Sequence, residues 1–301
     1  MLQNTWQILL NEIIGGEFKP LARGISLVEN EVNGYDYFLK SLPASCTPVI
    51  GITGPPGAGK STLTDALISV MVADGKRIGV LCVDPSSPFN LGALLGDRIR
   101  MSEWYNHPNV FIRSLATRGS LGGLHPKIIE IADVMKAAGF DYIIVETVGV
   151  GQSEIEIAGL ADVTVIVLVP EAGDEVQNMK AGLMEIGQIF VVNKADRPDA
   201  DLFARNLALS LHTGHARHST EAPVIKTIAN TRHGMEALYK AIQSILKQIN
   251  NSDRKFHLLA DKAFHHLQQH RMKDVNRKKL FSEIKEGNVT NLYSFLAAHY
   301  F

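Results

Sequence analysis

From residue 48 to about residue 250, short apolar runs alternate with longer stretches in which apolar residues recur every three or four positions. The short runs, rich in Val and Ile, predict β-strands, and the longer stretches predict amphipathic helices. Several runs have almost no polar residue, which is typical of strands covered on both faces. The alternation therefore predicts an α/β fold with a doubly wound, mostly parallel sheet. The strand-like runs are PVIGIT, RIGVLCVD, NVFIRSL, DYIIVET, VTVIVLV, QIFVVNK and APVIKTI, and the helix-like stretches are STLTDALISVMVADG, HPKIIEIADVMKAAG, LFARNLALSLHT and GMEALYKAIQSILKQI.

Helical spacing also marks both ends of the chain. TWQILLNEII, LARGISLVEN and YDYFLKSL predict two or three short helices in an N-terminal segment, residues 1–45, before an α/β domain, residues 46–250. Residues 251–301 predict a helical arm with a helix break at Gly287. The arm carries an apolar stripe that needs a partner surface, on its own domain or on another subunit. The stripe consists of Phe256, Leu259, Ala260, Ala263 and Leu267.

Composition narrows the class of protein. The chain has 46% hydrophobic and 20% charged residues and a net charge of −1, so no overall field favours nucleic acid or an acidic membrane. Two cysteines in 301 residues exclude a disulfide scaffold, and Cys82, inside IGVLCVD, is predicted to be a core residue. The N-terminus lacks a basic start, and VTVIVLV is too short to span a bilayer. We therefore predict a soluble, cytoplasmic protein.

The first strand-like run leads into a nucleotide-binding motif. Residues 54–61 match G-x-x-x-x-G-K-[ST] between a predicted strand and a predicted helix, which is the context of a P-loop NTPase. The glycines let successive backbone N–H groups surround phosphate oxygens beside the positive end of a helix. Lys60 would reach the β- and γ-phosphates, and the Ser61 hydroxyl would bind Mg²⁺. The motif residues are Gly54, Pro55, Pro56, Gly57, Ala58, Gly59, Lys60 and Ser61.

Acidic residues follow two other strand-like runs. Asp84 ends RIGVLCVD, where a carboxylate can contact Mg²⁺ or its waters, and Asp97 could do so if its loop folds back, or else be a capping or surface carboxylate. Glu146 stands where phosphate-hydrolysing P-loop proteins usually carry an aspartate, and its extra methylene favours contact through a metal-bound water. Gly149 can then bring a backbone N–H to the γ-phosphate, so that the loop after it senses hydrolysis.

The run QIFVVNK leads into a base-reading motif, N-K-x-D, formed by Asn193, Lys194 and Asp196. The Asp accepts hydrogen bonds from guanine N1–H and from its 2-amino group, the Asn meets the other edge, and the Lys stem packs over the ring. Adenine lacks both donors, and a buried charged acceptor without its donor rejects such an analogue strongly. The motif predicts GTP rather than ATP as the ligand.

Some residues leave alternatives open. Gln152 lies three positions after Gly149, so a water-positioning role cannot be assumed, and Arg118 could act on the phosphate in cis or form a structural ion pair. His212, His215 and His218 could bind a metal, although a solvated loop is favoured because no cysteine or carboxylate completes a ligand set.

Together these motifs resemble those of the MeaB/ArgK family of SIMIBI-class GTPases. Members are chaperones for adenosylcobalamin-dependent acyl-CoA mutases, chiefly methylmalonyl-CoA mutase. The similarity covers nearly the whole chain, including LARGISLVE and EIKEGNVTNLYSFLAAH at its ends. The blocks that carry it are GPPGAGKST, VDPSSPFNLGALLGDRIRM, RSLATRGSLGGL, ETVGVGQSE, PEAGDEVQNMKAGLMEI and VVNKAD, in that order.

The resemblance implies particular roles. It implies Mg²⁺-GTP bound through residues 54–62, which include Thr62, with Asp84, Asp97 and Glu146 around the metal. It implies a mobile loop at GDEVQNMK, where Asp174 and Lys180 would relay nucleotide state to the mutase. It also implies a homodimer formed through the C-terminal helices, and slow hydrolysis that the mutase accelerates and that gates cofactor loading and protection. Whether a cobalamin adenosyltransferase joins the complex stays open.

Two departures and two alternatives accompany the resemblance. The family's Ala-Asp after MEI is here Gly187-Gln188, and its Ser-Ala base motif is here Ile228-Ala229, so only the Ala229 backbone contact carries over. A P-loop kinase, as once attributed to ArgK, would usually prefer ATP, against which N-K-x-D argues. A nickel-type SIMIBI metallochaperone normally has a Cys/His cluster that this chain lacks.

Overall fold

The computed structural model describes residues 2–84, 101–117, 124–147, 149, 156–172, 181–213, 222–249, 254–272, 275, 277–287 and 289–300. The chain forms two compact units, Met1–Leu258 and Leu259–Phe301. The first unit contains the sheet and the helices around it, and the second is helical. The domain boundaries at residues 45 and 250 stay predictions.

The first unit is built on a seven-stranded sheet in which every pairing is parallel. All the strand-like runs form strands, and the prediction of a doubly wound parallel sheet is confirmed. In four strands (β1, β2, β5 and β6) every residue is buried, because helices cover both faces. The strands are β1 (Val49–Thr53), β2 (Ile78–Asp84), β3 (Val110–Ala116), β4 (Tyr142–Glu146), β5 (Val163–Leu168), β6 (Ile189–Val192) and β7 (Val224–Lys226).

The strand order is β3-β2-β4-β1-β5-β6-β7, which puts β1 at the centre. Ile52 of β1 and Cys82 of β2 both pair with Glu146 of β4. The carboxyl ends of these three strands therefore lie side by side. Ligands of open parallel sheets bind at such an edge, where the strand order reverses direction.

The described helices occupy the stretches with helical spacing. Four of them match the predicted stretches between and after the strands, and three precede β1, as expected for the N-terminal segment. They are α1 (Leu2–Ile14), α2 (Phe18–Glu29), α3 (Tyr35–Lys40), α4 (Lys60–Ala73), α5 (Ile128–Lys136), α6 (Ala181–Ile186), α7 (Ala200–Thr213), α8 (Met235–Ile249), α9 (Arg254–Arg271), α10 (Arg277–Glu286) and α11 (Leu292–His299), with 3-10 turns at Ser102–Trp104, Ile157–Gly159, Pro170–Ala172 and Ala229–Thr231.

The described residues form three apolar clusters on the two faces of the sheet, of which the smallest joins β5 and β6 to α6 and α7. On one face, α1, α2 and α3 share a core with α5 and with residues of β1 to β4. On the other, α4 and α8 pack together over the central strands through Leu67, Met71, Leu238 and Ile242. Cys82 is 1% exposed in this second core, as predicted, whereas Cys46 is exposed.

Arg77 ties the N-terminal helices to the sheet. Its guanidinium lies over the rings of both Phe18 and Phe140, 5.0 and 5.1 Å from their centroids. It donates hydrogen bonds to the carbonyl of Ala138, at 2.9 Å, and to that of Gly16 in the turn between α1 and α2. Partial burial lowers the pKa of Arg77 from its usual value, although the side chain remains a cation.

The second unit is small and leaves many apolar side chains exposed. Phe295 is buried and lies against the rings of His299 and Tyr300, and the Tyr300 hydroxyl donates to Glu283 Oε2 at 2.6 Å. This hydrogen bond raises the pKa of Tyr300. The predicted break at Gly287 is confirmed, because α10 ends at the preceding residue. Among the described residues of this unit, the exposed large apolar side chains are Leu259, Phe264, Leu267, Met272, Phe281, Leu292 and Tyr293.

Among the residues that the structure describes, no helix is long and apolar enough to cross a membrane.

Candidate functional site

The phosphate loop (residues 54–59) connects β1 to α4 at the carboxyl edge of the sheet. Its three glycines, Gly54, Gly57 and Gly59, have positive φ angles of 139°, 77° and 87°. At Gly59 a Cβ would lie only 2.5 Å from Asn193 Nδ2, so no larger residue fits beside the second motif. Gly59 is also the N-cap of α4 and has no side chain to accept the first helical N–H groups. The positive end of α4 therefore faces the loop uncapped, as anion binding requires.

Lys60 lies over the phosphate loop. Its Nζ donates to the carbonyls of Gly54 and Pro55, at 2.9 and 3.1 Å, and the residue is 7% exposed. Pro56 is exposed and Ala58 is buried in the same loop. The ammonium thus lies at the mouth of the loop, where it is available to a phosphate.

Glu146 is held by two hydroxyl groups of α4. Ser61 Oγ donates to Glu146 Oε1 at 2.6 Å, and Thr64 Oγ1 lies 2.9 Å from Glu146 Oε2. Glu146 is 4% exposed and Thr64 is fully buried. The hydroxyl groups compensate the burial of the carboxylate, which would otherwise be costly. Sequence reasoning identified Ser61 and Glu146 but not Thr64.

The oxygen donors at this edge fit a magnesium ion. Asp84 is the last residue of β2 and is 7% exposed. It lies two residues beyond Cys82, which pairs with Glu146 of β4. A serine hydroxyl and two carboxylates are hard oxygen ligands, which Mg²⁺ prefers, and it is usually held by one or two carboxylates plus phosphate oxygens. Within the described part of the chain, no cluster of three or more His, Cys, Asp or Glu side chains could hold a metal.

Two contacts connect the residues after β4 to the end of β1 and to the phosphate loop. Thr147 Oγ1 and Thr53 Oγ1 are 2.8 Å apart in a buried hydrogen bond between the ends of β4 and β1. Gly149 has a φ of 83°, and a Cβ there would lie 2.3 Å from both Gly54 O and Lys60 Nζ. The backbone at Gly149 therefore approaches Lys60, the residue predicted to reach the β- and γ-phosphates, as closely as glycine permits.

Asn193 joins the second motif to the phosphate loop. Its Nδ2 donates to the carbonyl of Ala58 at 2.9 Å, and its Oδ1 accepts from Thr227 Oγ1 at 3.1 Å and from the Ala229 N–H at 3.2 Å. Lys194 Nζ donates to the carbonyl of Gly57 at 2.8 Å. The motif predicted only base contacts for Asn193, and the structure adds this bracing role.

A pocket of about 130 Å³ lies between the phosphate loop and the N-K-x-D motif. Asp196 is exposed at its wall. Arg197, also in the wall, donates to Glu171, and this hydrogen bond lowers the pKa of that carboxyl. The pocket is lined by Gly59, Thr62, Asn193, Lys194, Asp196, Arg197, Ile228, Ala229 and Asn230.

The positions that depart from the family pattern have structural partners. Gln188 Oε1 accepts the Thr164 N–H at 2.6 Å, and Gln188 Nε2 donates to Asp162 O at 3.3 Å, which fixes the approach to β6. A Cβ at Gly187 would lie 2.6 Å from the Phe190 ring. Ile228 exchanges two backbone hydrogen bonds with His233, which hold the turn at Ala229.

Several predicted residues fall outside the described part of the chain. His212 is described, and it is exposed at the end of α7. The predicted residues outside the described ranges are Asp97, Arg118, Gln152, Asp174, Lys180, His215 and His218.

Comparisons with known proteins converge on one family. The family described as Methylmalonyl Co-A mutase-associated GTPase MeaB matches residues 21–284 of the chain. A Pyrococcus abyssi protein named "Putative GTPase" is 44% identical over 282 residues, which cover 92% of this chain and 82% of that protein. The mouse protein named "Methylmalonic aciduria type A homolog, mitochondrial" is 43% identical over 147 residues, which cover 49% of this chain and 35% of that protein.

A solved structure has the same fold. The crystal structure of an LAO/AO transport system kinase matches with a TM-score of 0.70 and 24% sequence identity, over 95% of this chain and 94% of that one. At this identity the similarity establishes a shared P-loop NTPase fold and gives no information on the reaction.

Proposed function

Because the chain belongs to the MeaB family of methylmalonyl-CoA mutase-associated GTPases, we propose that it is an Mg²⁺-dependent GTP hydrolase and a chaperone of an adenosylcobalamin-dependent acyl-CoA mutase. In this role GTP hydrolysis is coupled to loading and protection of the mutase's cofactor. The observation that carries the nucleotide part is the hydrogen bonding of Asn193 to Ala58 and Ala229, which joins the phosphate loop and the base motif around one pocket.

GTP binds with its phosphates in the phosphate loop and its base against the N-K-x-D motif. Residues 54–62 donate backbone N–H groups to the phosphates, and Lys60 turns from the loop carbonyls to the β- and γ-phosphates. Asp196 accepts from guanine N1–H and the 2-amino group, Lys194 packs along the ring, and Ala229 offers its backbone. The exposure of Asp196 at the pocket wall supports this assignment.

Ser61, Asp84, Glu146 and Asp97 hold the magnesium ion, directly or through its waters. The ion neutralises charge that develops on the phosphate oxygens during hydrolysis. The convergence of Ser61, Glu146 and Asp84 at the uncapped end of α4 supports this set. The positive end of the α4 dipole and the Lys60 ammonium also stabilise the charge on the phosphate oxygens.

Hydrolysis is slow in the isolated protein and faster with the mutase. Gly149 offers a backbone N–H to the γ-phosphate, and Gln152 lies three positions after it, so no water-positioning role is assigned to Gln152. The segment with Asp174 and Lys180 contacts the mutase and completes the site. Whether Arg118 contributes is a separate question.

The mutase partnership is supported by the family description and by the name of the mouse relative. The exposed apolar side chains of the second unit support a homodimer. A cobalamin adenosyltransferase would be a further partner in the same cofactor-loading step, and a cytoplasmic location fits a mutase partner.

Two other functions are less well supported. A P-loop kinase acting on a small molecule would prefer ATP, and the Asp196 carboxylate disfavours adenine. A nickel-type metallochaperone would need a His/Cys cluster, and none occurs among the described residues.

The test is GTP turnover by the purified protein with and without a purified methylmalonyl-CoA mutase, with its cobalamin site empty and filled. We expect slow turnover that the mutase raises, no use of ATP, and loss of turnover in Lys60→Ala. Lys180→Ala should keep GTP affinity but lose most of the stimulation. The proposal fails if the mutase changes neither turnover nor its own cofactor loading.

A further inference from the structure

We propose that Thr64 is a positioning residue that fixes the Glu146 carboxylate for the metal. The inference rests on the proposed function, because it concerns the same Mg²⁺-nucleotide site. Thr64 lies one helical turn after Ser61 on α4, so both hydroxyl groups are on the same face of the helix. Each of them bonds a different oxygen of Glu146.

Glu146 needs such a constraint because of its length. A glutamate has one more side-chain torsion than the aspartate that usually ends this strand, and its terminal torsion has a broad preference. A carboxylate that is free to rotate would present its oxygens to the metal in many orientations. Two hydroxyl groups, one for each oxygen, restrict it to one.

The two hydroxyl groups do not have the same task. Ser61 is the first residue after the motif lysine and is itself a candidate metal ligand, so its interaction with Glu146 Oε1 changes when the metal binds. Thr64 is 0% exposed, and Glu146 Oε2 lies 2.9 Å from its hydroxyl. Its hydrogen bond therefore persists and keeps Oε1 directed towards Ser61.

The hydroxyl of Thr64 has a second possible acceptor, since the carbonyl of Lys60 is also 2.9 Å away. A bond from Thr to the carbonyl four residues earlier is common in helices and would have no role in the site. The carboxylate is charged and is the stronger acceptor, so the hydrogen is directed to Glu146. Ser69 on the same helix makes only the local kind of bond, to the carbonyl of Ala66 at 2.8 Å, and offers a matched control.

The experiment measures GDP affinity by calorimetry in excess Mg²⁺ and again in EDTA. Thr64→Val, which keeps the volume and removes the hydroxyl, should reduce the Mg²⁺-dependent gain in affinity about tenfold, as for loss of a bond to a charged group. Its affinity in EDTA should stay at the wild-type value. Thr64→Ser should restore the gain, and Ser69→Ala should not change it.

The outcomes separate this inference from the proposed function. A wild-type protein that does not bind GDP overturns the proposed function and the inference with it. A Thr64→Val protein with the full Mg²⁺-dependent gain, or with affinity lowered equally in Mg²⁺ and EDTA, overturns the inference alone. Should Thr64→Val fail to fold by circular dichroism, Thr64→Ala provides the second removal of the hydroxyl and is judged by the same two results.

Discussion

Asn193 shows how a sequence motif can single out a residue and still miss its structural contacts. Its place in N-K-x-D predicts a guanine contact, yet three hydrogen bonds of its amide go to Ala58, Thr227 and Ala229. Lys194 likewise reaches Gly57. These two residues therefore shape the pocket, whereas Asp196 is exposed in its wall, and its contact with the base stays a prediction.

Asp196→Asn should weaken binding of guanine nucleotides and strengthen binding of xanthine nucleotides. In xanthine the guanine 2-amino donor is replaced by an oxygen acceptor, which needs a donor opposite it. We expect GTP affinity to fall by about a hundredfold or more and xanthosine triphosphate affinity to rise. Calorimetry with both nucleotides measures this, and Asp199→Asn, an exposed position with a φ of 63° that suits Asn, is the control. An unchanged GTP affinity would show that the motif does not read the base.

At the scale of elements, local patterns were sufficient for most of the fold. The runs such as VTVIVLV became buried strands because their apolar residues suit a sheet covered on both faces. Helical spacing predicted α4, α5, α7 and α8, whereas the short α6 was not among the predicted stretches. What could not be predicted were bonds between distant elements: Thr64 to Glu146 spans 82 residues, and Arg77 to Gly16 spans 61. No local pattern marks such partners, because they meet only when strands have paired.

Arg77→Ala should weaken the packing of the N-terminal helices against the sheet. The side chain lies over the rings of Phe18 and Phe140 and donates hydrogen bonds to two carbonyls, so we expect the free energy of unfolding to fall by about 3 kcal/mol. Urea unfolding measures it, with cleavage near Gly16 by a protease as a local readout. Arg23→Ala, at an exposed position of α2, should change stability by less than about 0.5 kcal/mol. Equal losses in the two variants would contradict the role of Arg77.

At the scale of the whole molecule, the two units differ in how well they bury their apolar residues. The first has three apolar clusters around its sheet, whereas the described residues of the second bury Phe295 and leave seven large apolar side chains exposed. Such surfaces usually mark an interaction site. The sequence predicted the apolar stripe, but no local pattern encodes the surface that covers it.

Replacing Leu259 and Leu267 together by Lys should convert a homodimer into a monomer. Both are more than half exposed, at 63% and 56%, so their replacement removes intermolecular contacts with little effect on the fold. Sedimentation velocity gives the mass, and nucleotide binding should persist. The matched pair is Leu202 and Leu209 of α7, at 54% and 57% exposed, whose replacement by Lys should leave the dimer intact. If both pairs of substitutions dissociate the dimer, or if neither pair does, the result would argue against a dimer formed through this stripe.

The hydrogen bond from Asn193 to Ala58 also affects when, during folding, the protein can first bind a nucleotide. It spans 135 residues of chain, and its two ends meet only after β5 has joined β1 and β6. Contacts of such long range form late in folding, since a large loop must close first. A nucleotide that contacts both motifs can therefore occupy only chains in which β1, β5 and β6 have paired, and at a hundredfold excess over its dissociation constant it stabilises them by about 2.7 kcal/mol. Cellular GTP would thus selectively stabilise molecules in which these strands have paired. Incompletely folded molecules would not gain this stabilisation and would remain substrates of chaperones and proteases.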